Sequence, residues 1–252
     1  MKTLFNIIEQ LAYSFFSLVR FIKYNTKIYQ YPKNAYERFC EEKMESSYQN
    51  FKIYFNSSLI MKKKYIKSWA LKDSLDKKNN LDHLFLEFGV HLGQSINPLS
   101  KILKTYKRKQ NDSDQTKIIY GFDGFTGLKD IWVGTSGGLH LDVGGKMPKV
   151  NKNVILIKGW IQDTLGPFLN KNKFKKIAFT NIDVDTYETT KFILQKIKPF
   201  LHAGSIIIFD ELYNYPGWEF GEYKALKECF ADKEYKFIAF SSDGKQAVIE
   251  II

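Results

Sequence analysis

From Leu81 onward the chain alternates short apolar runs with stretches of helical patterning, and that alternation restricts it to a sheet of mostly parallel strands joined by helices. The runs at residues 84–88, 117–122, 154–158, 177–182 and 205–209 are continuously apolar rather than alternating, as strands are when helices cover both sheet faces. Helices are expected at residues 95–107, around 164–170, at 188–199 and at 221–230. Two further β-like runs, 235–240 and 246–252, flank the turn dipeptide Asp243-Gly244, so a terminal hairpin adds an antiparallel strand. The expected fold is therefore α/β: a doubly wound, Rossmann-like, mostly parallel sheet of seven strands ending in an antiparallel hairpin.

Two loops stand out. Residues 108–115 are polar and charged and read as a surface loop. Residues 134–148 are glycine-rich without helical pattern, a length usually functional or mobile in a compact domain.

Residues 1–80 have a different texture, with helical patterning, few glycines and no strand–turn alternation. The expected organisation is a helical N-terminal segment, 1–80, before an α/β domain, 81–252. The segment also holds most of the charge. Of a net +11, residues 1–80 carry 15 Lys/Arg against 7 Asp/Glu, a net of +8. A basic surface confined to one appendage argues against nucleic acid as the partner of the α/β domain. Residues 4–24 are apolar and aromatic but interrupted by Glu9, Arg20 and Lys23, which suits an amphipathic helix better than a transmembrane span. Its alternatives are packing on the domain, on a second subunit in a homodimer, or on an anionic membrane with help from Lys62-Lys63-Lys64 and Lys67. Cys40 and Cys229 match no metal or disulfide spacing and read as reduced thiols, which points to the cytoplasm, with peripheral contact at the inner membrane face as an option.

Within the domain, Glu87-x-Gly89-x-x-x-Gly93 follows the first strand and precedes a helix beginning near Ser95. Glycines there let the backbone turn sharply and approach a ligand at a helix N-terminus whose N–H groups are free. The spacing fits neither the dinucleotide GxGxxG nor the P-loop. The next strand ends Phe122-Asp123-Gly124-Phe125, where a carboxylate can accept hydrogen bonds from ribose hydroxyls or simply shape the turn. The third strand leads into Gly159-Trp160-Ile161-Gln162-Asp163, with Trp160 able to offer an aromatic face. Asp163 is open to two roles, a bond to a base amine or a helix cap.

The fourth strand ends Asp183-Val184-Asp185 and the fifth ends Asp210-Glu211. Both ends lie on the carboxyl edge of a parallel sheet, where open α/β folds bind ligands. Four carboxylates gathered there repel one another unless something positive sits among them, and a hard divalent cation such as Mg2+ is the expectation.

These motifs, taken in order, resemble the macrocin O-methyltransferase (TylF-like) family of class I S-adenosylmethionine-dependent methyltransferases. The matching stretches are Leu86-Glu87-Phe88-Gly89-Val90 with Gly93-Gln94-Ser95, Gly121-Phe122-Asp123-Gly124-Phe125 and Gly159-Trp160-Ile161-Gln162-Asp163. Ile182-Asp183-Val184-Asp185-Thr186-Tyr187-Glu188 and Phe209-Asp210-Glu211 complete the set. The resemblance covers 84–252 and implies S-adenosylmethionine as donor, Mg2+ as metal and a sugar hydroxyl as acceptor. Donor contacts are then expected from Glu87, Gly89, Val90, Gly93, Ser95, Asp123, Gly124, Phe125, Gly159, Trp160, Asp163 and Asp183. Metal ligands carry over to Asp183, Asp210 and Glu211, although the family pattern has two consecutive aspartates where this chain has Asp210-Glu211. A metal would lower the pKa of a bound hydroxyl, and Asp183 or Asp185 would take its proton. The loop match at Gly144-Gly145-Lys146-Met147-Pro148 suggests a lid, with His140 as an acceptor contact. Alternatives are a phenol, amine or phosphoryl acceptor, or a catalytically inactive binding protein of the same fold.

Overall fold

The computed structural model describes residues 33–77, 83–106, 117–128 and 141–252. The chain divides into two compact units, Met1–Glu42 and Lys43–Ile252. Described residues of the first unit lead into helix α1 (Ala35–Phe55), which opens with a reciprocal cap. The Glu37 N–H donates to Asn34 Oδ1 at 2.9 Å and the Asn34 N–H to Glu37 Oε2 at 3.0 Å.

The second unit continues with β1 (Leu59–Met61), α2 (Lys63–Asp76), β2 (Leu84–Phe88), α3 (Ile96–Thr105), β3 (Ile119–Asp123) and β4 (Val154–Lys158). Then come α4 (Ile161–Lys171), β5 (Ile177–Ile182), α5 (Tyr187–Ile197), β6 (Ile206–Phe209), α6 (Glu222–Cys229), β7 (Tyr235–Ser241) and β8 (Ala247–Ile251). All strands join one sheet in the order β1-β7-β8-β6-β5-β2-β3-β4. Only β8 runs against its neighbours, pairing antiparallel with both β6 and β7. The doubly wound architecture and the terminal hairpin are thus as the sequence indicated.

The sheet has eight strands among the described residues rather than seven. The extra one, β1, comes from the segment expected to be wholly helical and pairs parallel with β7 at the sheet edge. Helix α2, from the same segment, belongs to the compact unit Lys43–Ile252. The reason is burial. Ile66, Ala70, Leu71 and Leu75 are fully buried against the sheet, and Ser74 Oγ donates to the Ala178 carbonyl of β5 at 2.9 Å.

Helices cover both faces. One layer packs around Phe51, Leu165, Leu194, Leu226 and Phe237, the other around Leu71, Leu99, Phe179, Ile208 and Val248. Strands β2, β5 and β6 are buried along their whole length, which is why they are uninterrupted apolar runs. The chain leaves β2 toward β3 and β4 on one side and returns as β5 and β6 on the other. The crevice between the carboxyl ends of β2 and β5 is therefore the topological switch point, where this architecture binds ligands. No described helix is long and apolar enough to cross a membrane, and residues 4–24 lie outside the described range.

Candidate active site

Ladder hydrogen bonds run one residue past the strand ends and fix the backbone of the switch point. Gly89 N donates to Phe122 O at 3.0 Å, Asp183 N to Phe88 O at 2.9 Å, and Asp210 N to Ile182 O at 2.9 Å. Gly89 has φ +86°, and a Cβ built there would lie 1.7 Å from the Asp183 carbonyl oxygen. The glycine is required by this close approach of two strand ends, before any ligand is considered. Gly93, at φ +76°, closes the turn by donating its N–H to Val90 O at 2.8 Å.

A cavity of about 640 Å³ opens over these ends. Of the expected donor contacts, Gly89, Val90, Ser95, Asp123, Gly124, Trp160 and Asp183 line it, as do the carboxylates of Asp185, Asp210 and Glu211. Glu87, Gly93, Phe125, Gly159 and Asp163 do not. Gly93 and Gly159 shape turns, and Phe125 is buried. Glu87 lies beneath the turn, fully buried, and accepts from Ser95 Oγ at 2.5 Å. Burial pushes its carboxyl up to about 7, with the Lys67 ammonium and the Ser95 hydroxyl pulling the other way.

Asp123 accepts the His91 N–H at Oδ2 (2.7 Å) and the Phe125 N–H at Oδ1 (2.6 Å). It therefore locks two turns together while lining the cavity. His91 and Phe125 both carry positive φ, at 48° and 58°. Trp160, 36% exposed, stands beside Gly124 at the cavity wall. Helix α4 begins at Ile161, ahead of the expected residue 164, with Trp160 as its N-cap residue and no side-chain cap. Asp163 thus falls in the first turn, exposed, neither cap nor cavity wall, and Gln162 lines the cavity instead.

The acidic side was expected to enclose a metal held by Asp183, Asp210 and Glu211. The geometry does not fit one. Among the described residues no group of three or more Asp, Glu, His or Cys side chains is arranged to hold a metal ion. The positive charge is supplied by the chain. Lys67 Nζ, from α2, sits 2.7 Å from Asp183 Oδ2 and 2.7 Å from Asp210 Oδ1. Lys245 Nζ pairs with Glu211 Oε1 at 2.9 Å. Burial opposes the charge on Lys67, but Asp183, Asp210 and Glu87 outweigh it and hold the ammonium well above its usual range. Burial likewise works against the Asp210 carboxylate, and Lys67 overcomes it, holding Asp210 below its ordinary value.

Asp185 is different. It is half-buried and has a left-handed backbone, φ +60°, a conformation costly for a non-glycine residue and frequent where strain serves a site. Burial, reinforced by Glu211, Asp183 and Asp210, pushes its carboxyl up to about 8, and Lys245 only partly offsets this. The end of the long loop is pinned nearby. Gly145 N donates to Phe125 O at 2.7 Å, Lys158 Nζ donates to Gly145 O at 2.6 Å, and Leu141 reaches the cavity wall. His140 lies outside the described residues.

Residues 86–212, just over half of the chain and including the whole switch point, match the family model described as a methyltransferase domain. The chain belongs to this methyltransferase family. It is accordingly a methyltransferase. None of the curated proteins matches the sequence. Among solved structures, the calicheamicin methyltransferase CalS11 is similar at 22% identity, with 93% of this chain and 90% of that one covered and a TM-score of 0.57. Apo CalS11, described as a TDP-rhamnose 3'-O-methyltransferase, gives 22% identity, 91% and 89% coverage and a TM-score of 0.55. The O-methyltransferase NovP gives 17% identity, 74% and 78% coverage and a TM-score of 0.51. At these identities the likeness is one of fold.

Proposed function

We propose that this methyltransferase moves the methyl group of S-adenosylmethionine to a hydroxyl of a sugar or glycosylated precursor, as a macrocin O-methyltransferase-like (TylF-like) enzyme. The observation that carries the reading is a single cavity joining the glycine turn, Asp123 and Trp160 on one side to the carboxylates of β5 and β6 on the other. Its size suits a nucleoside donor with part of an acceptor. That the solved structures of like fold include enzymes described as O-methyltransferases, one of them acting on TDP-rhamnose, adds support.

When bound, the donor supplies an electrophilic sulfonium methyl group. The chain does the rest. Asp123 keeps lone pairs for ribose hydroxyls beyond the two backbone N–H groups it already accepts. Trp160 offers a face to the adenine, and Gln162 replaces Asp163 as the side chain for its exocyclic amine. Glu87 supports the turn through Ser95. Of the two aspartates left open as base, Asp185 fits better. Asp183 is ion-paired with Lys67, whereas Asp185, its carboxyl pushed up to about 8, is the stronger base once ionised. The acceptor oxygen forms its bond to the methyl carbon as the carbon–sulfur bond breaks. The hydroxyl proton passes to Asp185, and S-adenosylhomocysteine departs.

The test is calorimetric titration of the full chain with S-adenosylmethionine, followed by methyl-transfer assays across nucleotide sugars, phenols and amines. Saturable donor binding and turnover on sugars are expected. No donor binding would sink the reading, and turnover confined to phenols or amines would replace the acceptor.

A further inference from the structure

The lysine among the strand-end carboxylates points further than the fold or the family match. Lys67 comes from α2, far in sequence from both partners, and its position is built rather than incidental. The neighbouring Ile66 and the following Ala70, Leu71 and Leu75 are fully buried against the sheet, and Ser74 ties the helix to β5. Asp183 and Asp210 are held side by side because β5 and β6 are adjacent parallel strands whose ladder continues through Asp210 N. The ammonium meets both carboxylates at 2.7 Å, with side-chain exposures of 20% for Lys67, 29% for Asp183 and 12% for Asp210.

We infer that Lys67 is the resident cation of this site: its ammonium takes the position a divalent ion would need, so the carboxylates of β5 and β6 are organised without metal. Mg2+ requires near-octahedral oxygen ligands at about 2.0–2.1 Å. Asp183 and Asp210 already spend an oxygen each on Lys67, and Glu211 spends one on Lys245. A divalent ion at the same carboxylates would also sit within a few ångströms of a buried ammonium, at a strong electrostatic cost. Lys67 is thus a positioning residue. It holds the carboxylates of Asp183 and Asp210 together across the ends of β5 and β6. The inference deepens the proposed methyl transfer by naming the charge that organises its acidic side.

Mn2+ binding to the full chain, followed by electron paramagnetic resonance after removal of metals with EDTA, tests this without donor or acceptor. Its failure is therefore separable from failure of the methyl-transfer reading. The wild type should bind no stoichiometric Mn2+. Lys67→Met, which keeps the stem and removes the charge, should gain one Mn2+ per chain and lose it again in combination with Asp210→Asn. A merely structural lysine would not create a metal site on removal. One Mn2+ per wild-type chain, abolished by Asp210→Asn alone, overturns the inference whether or not Lys67→Met folds. A folded Lys67→Met that gains no Mn2+ overturns it as well. In the methyl-transfer assay, wild-type turnover should survive EDTA, and loss restored by Mg2+ would contradict it.

Discussion

The backbone of Gly89 passes so close to Asp183 that a single methyl group on Gly89 would lie 1.7 Å from the Asp183 carbonyl oxygen. That proximity joins the end of β2, which carries the glycine turn, to the end of β5, which carries the carboxylates. Donor side and acidic side are therefore one rigid object.

Gly89→Ala is expected to break it. The substitution meets backbone rather than a flexible side chain, and alanine is also strained at φ +86°. A loss of about 2–4 kcal/mol is expected, the scale of severe core changes. Urea denaturation reads the stability and calorimetry the donor affinity. If both are unchanged, the turn is more pliable than its geometry indicates.

Much of this framework is legible in the chain. Strands β2 and β5 coincide with their apolar runs because burial on both faces leaves no polar interruption. Strand β1 is hidden by its length, since a three-residue edge strand has no pattern of its own. Lys67 is hidden by its neighbours. After Lys62-Lys63-Lys64 a further lysine reads as one more basic contact for an anionic surface, and only the docking of α2 brings it to aspartates 116 and 143 residues away. The need for a positive charge among the four acids is legible, and the source that α2 provides is tertiary. Helix α4 starts at Ile161 without a capping side chain, so nothing local marks Asp163 as part of its first turn.

Asp185 should set the pH dependence of turnover. With its carboxyl pushed up to about 8 it is largely protonated at neutrality, so kcat/KM should rise with pH and level off above that value. A bound sulfonium favours the carboxylate, so the same limb in kcat should lie lower. Asp185→Asn should reduce kcat by about 10²–10⁴-fold with donor affinity retained. A profile already flat from mildly acidic pH upward, or an active Asp185→Asn, would assign the base elsewhere.

The same aspartate should make the wild type less stable as pH rises. In the unfolded chain its proton leaves near 3.8, whereas in the fold it is held to about 8. The folded state binds more protons between those values, so stability present below the lower one is lost on rising through the upper one. Glu87, pushed up to about 7, acts in the same direction. Asp185→Asn is neutral throughout, and asparagine tolerates the left-handed backbone. Its melting temperature should match the wild type in acid and exceed it above pH 8, by on the order of 2 kcal/mol in stability. An offset constant with pH would show that the carboxyl titrates normally in the fold.

Trp160 and Asp163 should separate cleanly in donor binding. Trp160 is part of the cavity wall beside Gly124, while Asp163 is exposed on the first turn of α4. Trp160→Ala removes an aromatic face whose stacking contributes about 1 kcal/mol beyond area burial, and should weaken S-adenosylmethionine roughly tenfold once the lost contact area is included. Trp160→Phe should retain most of the affinity while abolishing any tryptophan fluorescence quenching that accompanies binding. Asp163→Ala removes only a favourable charge at a helix N-terminus, worth about 0.5 kcal/mol of stability, and should leave donor affinity unchanged. Calorimetry on the three variants decides the matter. A tenfold loss in Asp163→Ala with none in Trp160→Ala would place the adenine along the exposed turn of α4 rather than against the indole.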